Sequence, residues 1–138
     1  MIPKFRAWDK EGNRMILPKY LQSIDLLREQ VTERTKSNYT FTLHSIPFDK
    51  VELMQSTGLC DKNGEEIFEG DILEVTDKHN WLEVVSYSQE KAMFVTEEIN
   101  REFKVPESPL SDLLDSTFLK FKVIGNIYEN PEMLEEEE

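Results

Sequence analysis

The sequence predicts a mainly β protein with a minor helical part, that is, a β-rich α+β fold. Short segments in which apolar and polar residues alternate recur along the 138 residues, as expected for half-buried strands. Two such segments are followed by related turns, Asp9-Lys10-Glu11-Gly12 and Asp61-Lys62-Asn63-Gly64. In the second turn, Asn-Gly supplies the positive φ angles of a tight hairpin. The chain is therefore predicted to be built from hairpins.

The first half is predicted to contain a hairpin, one helix and two further strands. Residues with apolar character recur at intervals of 4, 3 and 4 in the order Tyr20, Ile24, Leu27 and Val31, which predicts an amphipathic helix between the two hairpins. Pro47 separates the two later strands because it cannot donate within a central strand. The strands are predicted at 4–9, 14–17, 40–46 and 50–55.

The second half is predicted to contain more strands and a short helix at 110–114. Ser108 is expected to cap that helix, with Pro109 in its first turn. A helical insertion before the last strand is typical of a small, strongly bent barrel. The strands are predicted at 57–60, 65–68, 72–75, 82–87, 92–95 and 118–127, and Asn130-Pro131 closes the fold.

The formal net charge of −12 limits the classes of partner. The last ten residues, 129–138, contain six acids and no base, and the terminal acid run is expected to be a solvated tail. Excess negative charge opposes contact with phosphate backbones, so direct nucleic-acid binding is not expected. Neither an apolar run of about 18 residues nor the apolar core of a secretion signal is found, so we expect no membrane association and a cytoplasmic location.

Known catalytic, cofactor and metal motifs are missing from the sequence, so a non-enzyme is favoured and no cofactor or metal is expected. The lone Cys60, with His44 and His79, lacks the spacing of a zinc site, and Cys60 is expected to be a small packed residue. One enzymatic alternative stays open. It places a divalent metal on the carboxylates Glu65, Glu66, Glu69 and Asp71.

Aromatic residues offer the best candidates for a binding contact. Trp81 follows a polar loop and is predicted to be a partly exposed anchor, with Tyr87 as a second binding residue. Trp8 and Phe94 are expected to belong to the core.

Several segments together resemble the YopX family of phage and prophage proteins. They are 5–9 (FRAWD), 53–59 (LMQSTGL), 61–64 (DKNG), 67–72 (IFEGDI) and 123–131 (VIGNIYENP). The resemblance implies a Gram-positive or phage source, a C-terminal SH3-like small barrel and no assigned enzymatic activity. It implies one YopX-like domain over 1–138, with an N-terminal hairpin, helix and strand part at 1–56, the SH3-like part at 57–131 and the acidic tail at 132–138.

The family motif is predicted to be structural, because tight turns and close strand crossings need its glycines. Its residues are Phe5, Arg6, Trp8, Asp9, Gly58, Asp61, Asn63, Gly64, Gly70, Asp71, Gly125 and Asn126.

The predicted function is a non-enzymatic binding or assembly module of the phage or prophage cycle. Strands 82–87 and 92–95 carry apolar residues on both faces, and either the predicted helix or a second copy must cover them. We therefore expect a homo-oligomer, with a host or phage protein as a possible partner. The alternatives are a small divalent-metal-dependent hydrolase or nuclease and an acidic antagonist of a host nucleic-acid enzyme.

Overall fold

The computed structural model describes residues 2–99 and 105–134, which belong to two compact units, Met1–Gln55 and Ser56–Glu138. The fold is mainly β, as predicted. Its strands are β1 Phe5–Asp9, β2 Arg14–Ile16, β3 Leu21–Asp25, β4 Gln30–Ser37, β5 Thr40–Pro47, β6 Val51–Cys60, β7 Glu66–Phe68, β8 Asp71–Thr76, β9 Asn80–Ser88, β10 Met93–Glu98, β11 Ser108–Pro109 and β12 Lys120–Asn126. Its helix α1 is Leu110–Asp115, and 3-10 turns span Pro18–Tyr20, Phe48–Lys50 and Pro131–Leu134.

The first unit contains two sets of antiparallel strands. β1 pairs with β2 on one side and with the first half of β6 on the other, and β3, β4 and β5 form a three-stranded meander. Alternation along each strand brings one apolar face inward. The buried core consists of Ala7, Ile16, Val31, Ile46 and Val51.

The helix predicted from Tyr20 to Val31 is wrong, because this segment forms the β3–β4 hairpin. Ile24 lies directly opposite Val31 across the two strands. The connecting turn is stabilised by Asp25, whose carboxylate accepts backbone N–H groups of the next residues at 3.0 and 3.1 Å. Leu27, which the helical pattern counted as core, is 93% exposed. The apolar spacing of 4, 3 and 4 that predicted a helix is therefore produced by residues of two strands together with Leu27 in the exposed turn between them.

The second unit contains a five-stranded antiparallel sheet in the order β11-β10-β9-β8-β12, and β7 pairs with the second half of β6. The helix α1 lies against this sheet through Leu110 and Leu113, which join its core. The buried core contains Ile67, Leu73, Val75, Val85, Leu110, Leu113 and Phe121.

The strands predicted between 57 and 127 are confirmed, as is the short helix. Its predicted cap is wrong: Pro109 occupies the N-cap position without a side-chain hydrogen bond, and Ser108 of β11 pairs with Thr96 of β10.

The core side of β9 and β10 is covered by α1 and not by a helix near Ile24. Most of the predicted acidic tail, residues 135–138, lies outside the described residues.

No helix within residues 2–99 and 105–134 has the length and apolar character needed to cross a membrane.

Candidate functional site

The most distinctive surface of the first unit is the end of the β4–β5 ribbon, residues 34–45, which we call the arm. The two strands keep an uninterrupted register from Gln30 opposite Pro47 to Ser37 opposite Thr40. Val31 and Ile46 anchor the ribbon in the core, yet every residue from 34 to 45 is exposed. A two-stranded ribbon exposed on both faces is marginally stable alone in water. The arm therefore has surface available for a partner.

One face of the arm carries apolar and cationic side chains. Residues opposite each other in an antiparallel pair share a face, so Arg34 with Leu43 and Lys36 with Phe41 lie on the same side. The Arg34 guanidinium lies 3.7 Å from the centre of the Phe41 ring, a cation–π contact. Phe41 and Leu43 remain 54% and 57% exposed, and Tyr39 at the tip is fully exposed.

The arm is also electrically distinct from the remainder of the chain. No Asp or Glu occurs between Glu33 and Asp49, whereas Arg34 and Lys36 contribute two positive charges. The remainder of the chain thus carries −12 − 2 = −14. The arm is a basic, aromatic surface on an acidic protein.

A charged cluster holds the base of the arm. Arg14 on β2 donates two hydrogen bonds, of 2.6 and 2.5 Å, to the buried carboxylate of Glu33 on β4. Asp9 Oδ2 lies 3.5 Å from the guanidinium, and His44 Nδ1 lies 3.9 Å from Glu33. The hydrogen bond from Arg14 lowers the pKa of Glu33 and raises the pKa of Arg14. The cluster fixes the point at which the ribbon leaves the core.

Two clefts lie within the units. One of about 450 Å³ lies at the base of the arm and is lined by Asp9, Glu11, Gly12, His44, Ser45, Ile46, Pro47 and Lys50. Its lysine is paired with Glu11 at 3.0 Å. The other, of about 260 Å³ in the second unit, is lined by Lys62, Asn63, Glu74, Thr76, Lys120, Phe121 and Lys122. The mixed charges of both linings indicate no specific ligand.

Two of the four acids considered for a metal, Glu66 and Asp71, are engaged in hydrogen bonds of the second unit. The Glu66 carboxylate accepts a hydrogen bond from the Ser56 hydroxyl, and Asp71 accepts the Phe68 N–H at 2.8 Å. Glu65 is exposed and Glu69 is half-buried. Across residues 2–99 and 105–134, no three His, Cys, Asp or Glu side chains are grouped closely enough to hold a metal ion.

Trp81 and Tyr87, the predicted binding residues, lie on the same face of β9. Trp81 is half-buried against the core, and its indole N–H donates to the buried Glu83 carboxylate at 2.8 Å. Tyr87 is 44% exposed and meets Phe94 edge to face, with ring centres 5.3 Å apart. Phe94, which was expected in the core, is half-buried and packs against it.

Asp61, one of the motif residues, organises a turn and links it to a strand. Its Oδ1 accepts the N–H groups of Asn63 and Glu65, each at 2.9 Å. Its Oδ2 accepts the N–H of Val123 on β12 at 3.0 Å. Asp9 acts similarly in the first hairpin, where Oδ1 accepts the Gly12 N–H at 3.1 Å.

The motif glycines occupy places where a side chain would be strained or would collide. Gly58, Gly64 and Gly70 have φ angles of 78°, 82° and 85°. A Cβ on Gly125 would lie 2.8 Å from Cγ of Asn130, closer than carbon atoms normally approach.

The remaining motif residues lie in the last turn and on β1. Asn126 is buried, and its side-chain oxygen accepts the N–H groups of Tyr128 and Glu129 at 3.0 and 2.8 Å. On β1, Arg6 is buried, whereas Phe5 and Trp8 are half-buried. Trp8 was expected in the core but is only half-buried.

The prediction that Cys60 is packed is wrong, because its side chain is exposed. The β6–β7 register shifts between Ser56 and Cys60, and Gly58 has a positive φ. Such an irregularity turns the end of a strand away from its partner, so residues 58–60 are exposed.

Fold and site together define a class: a β protein of antiparallel hairpins that carries an exposed basic and aromatic arm. The family model described as YopX protein matches residues 4–135, so the chain belongs to the YopX family. The resemblance seen in the sequence is thereby confirmed.

Two solved structures show the same fold. Protein EF1440 from Enterococcus faecalis is 32% identical, with 98% of this chain and 99% of that chain covered and a TM-score of 0.63. The protein yopX from Bacillus subtilis is 17% identical, with 98% of each chain covered and a TM-score of 0.61. None of the curated proteins matches this chain.

Proposed function

We propose that this YopX-family protein is a non-enzymatic assembly module of a phage or prophage, acting in the cytoplasm, and that it self-associates through the arm. The observation that carries the proposal is the exposure of Phe41 and Leu43 on a ribbon that no described residue covers. Apolar side chains grouped in this way mark an interaction surface more often than isolated ones do. Trp81 and Tyr87 would then be secondary contacts, and the motif residues would serve the architecture.

Charge supports a second copy as the partner. Two copies that each carry −12 repel each other, and the repulsion is smallest where the contacting surfaces contain no acids. The segment 34–48 satisfies this condition. Closed symmetric assemblies are the usual result of self-association, and the SH3-like barrel implied for residues 57–131 would remain free for a host or phage partner.

Light scattering after size-exclusion chromatography tests the proposal at two protein concentrations that differ tenfold. We expect a mass that is a multiple of 16.3 kDa. The double variant Phe41→Thr, Leu43→Thr should reduce it to a single chain, because both apolar contacts are lost while the β propensity of the strand is kept.

A matched control removes the same number of apolar side chains elsewhere in the unit. Leu26 and Leu27 are 79% and 93% exposed in the β3–β4 turn, so Leu26→Thr, Leu27→Thr should keep the oligomer. A wild-type mass of one chain at both concentrations would overturn self-association.

A further inference from the structure

We infer that the outer edge of β5 pairs, antiparallel, with the β5 edge of a second copy, so that two arms form one continuous four-stranded ribbon around a two-fold axis. The inference deepens the proposed function and rests on it. It specifies which backbone groups make the contact.

β5 is the unprotected edge among the sheets of the described residues. Proteins normally protect sheet edges by making them short, by bulges, or by charged side chains. The edges β2, β7 and β11 have only 3, 3 and 2 residues. The edge β3 has a register shift, and β12 combines a register shift with Lys120 and Lys122. β4 also has an open edge beyond Glu33, where its pairing with β3 ends, but Arg34 and Lys36 protect it. β5 has 8 residues, an unbroken register and no Lys, Arg, Asp or Glu.

The backbone geometry of the arm defines which groups point outward. Ser37 and Thr40 lie opposite each other at the two ends of the turn that joins β4 to β5. In such a turn the N–H of the last residue, Thr40, points toward β4. Inward and outward groups alternate along an antiparallel strand, so the backbone groups of Phe41, Leu43 and Ser45 are directed away from β4. None of residues 40–45 is a proline, so each can donate.

Self-pairing of β5 brings no like charges into close contact. Arg34 and Lys36 lie on β4, one strand away from the edge. In the paired ribbon they would be separated from their counterparts by three strand spacings, roughly 14 Å. This exceeds the screening length of about 8 Å at physiological salt. Phe41 and Leu43 of both copies, in contrast, would lie on adjacent strands, where aromatic and apolar side chains stabilise each other.

The two-fold axis also gives a direct test. In any such pair one residue lies opposite its own counterpart, and two cysteines in adjacent strands are close enough for a disulfide. We would replace Cys60 by Ser, introduce a cysteine in turn at positions 41 to 44, and oxidise the protein with copper phenanthroline. We expect a covalent dimer to dominate for at least one position. The control is Ser23→Cys on the β3 edge, which is exposed and should form no covalent dimer under the same oxidation.

A second pair of variants avoids cysteine chemistry. Thr42 on β5 and Thr35 on β4 lie opposite each other on the other face of the arm, and both are exposed. Thr42→Lys should weaken self-association at least tenfold, because a lysine on the edge strand opposes pairing. Thr35→Lys should weaken it clearly less.

The results separate the inference from the proposed function. An oligomeric mass with no cross-link at positions 41 to 44, and with equal effects of the two lysine variants, would overturn the edge pairing and leave self-association in place. A single-chain mass for the wild type would overturn both.

Discussion

Replacing Arg14 by Gln should destabilise the first unit by about 2 kcal/mol at neutral pH. The change removes both hydrogen bonds to Glu33 and leaves its carboxylate, whose side chain is 6% exposed, without its arginine partner. Breaking a buried ion pair by removing one partner costs roughly 3–5 kcal/mol. The Arg14 side chain is 43% exposed, so solvent screening reduces the loss.

The pH dependence of this loss follows from the direction of the pKa shift. The pKa of Glu33 is lowered in the folded protein, chiefly by the hydrogen bond from Arg14. The contribution to stability is therefore fully present above the unfolded pKa of about 4.3 and is lost as the pH falls through the lower folded pKa. The difference between wild type and Arg14→Gln should shrink as the pH is lowered below about 4.

Urea unfolding at several pH values measures the effect, with the double variant Arg14→Gln, Glu33→Gln as the control. An uncharged amide at position 33 no longer needs a cation, so the double variant should recover part of the stability that the single variant lost. If the single and double variants were equally stable, or if the loss did not change with pH, the ion pair would not hold the base of the arm.

Three further changes test the turns of the second unit by thermal unfolding. Gly64→Val should cost about 1–3 kcal/mol through backbone strain alone, since open space surrounds its Cβ position; an unchanged melting temperature would contradict the turn geometry. Gly125→Ala should cost a similar amount, about 1–3 kcal/mol, through overpacking against Asn130, and Asn130→Ala should restore part of it. Asp61→Ala should destabilise by more than 2 kcal/mol, because three backbone N–H groups lose their acceptor; a loss below 1 kcal/mol would show that water replaces the carboxylate.

The hairpins could be predicted from sequence where the turn chemistry is local. Asn63-Gly64 defines a hairpin in itself, and the alternation of flanking residues gives the strands. The segment from Tyr20 to Val31 failed because periodicity over twelve residues does not separate a short helix from two strands joined by a turn. The decisive signal was Asp25, which stabilises that turn, followed by a β-branched pair at Val31 and Thr32.

The arm was missed because exposure depends on how far a ribbon extends beyond its core, which no local pattern encodes. A signal was nevertheless available. The interval between Glu33 and Asp49 lacks acids and carries alternating Tyr39, Phe41 and Leu43 in a chain of net charge −12. Cys60 was placed incorrectly for a related reason, since an irregular register cannot be read from alternation alone.

The strand order of the first unit has a consequence for how that unit folds. β3, β4 and β5 follow one another in the chain and join through short turns, so their pairing closes only small loops. β1 and β6, which pair with Ala7 opposite Leu53, are instead separated in sequence by most of the unit. Because loop closure becomes slower and costlier with sequence separation, the β3–β4–β5 meander should form first and the β1–β6 pairing last. The Lys10 N–H donates to Lys50 O, so by alternation the Trp8 N–H also faces β6. Pulsed hydrogen exchange during refolding would show this order as earlier protection of Val31 and Ile46 than of Trp8.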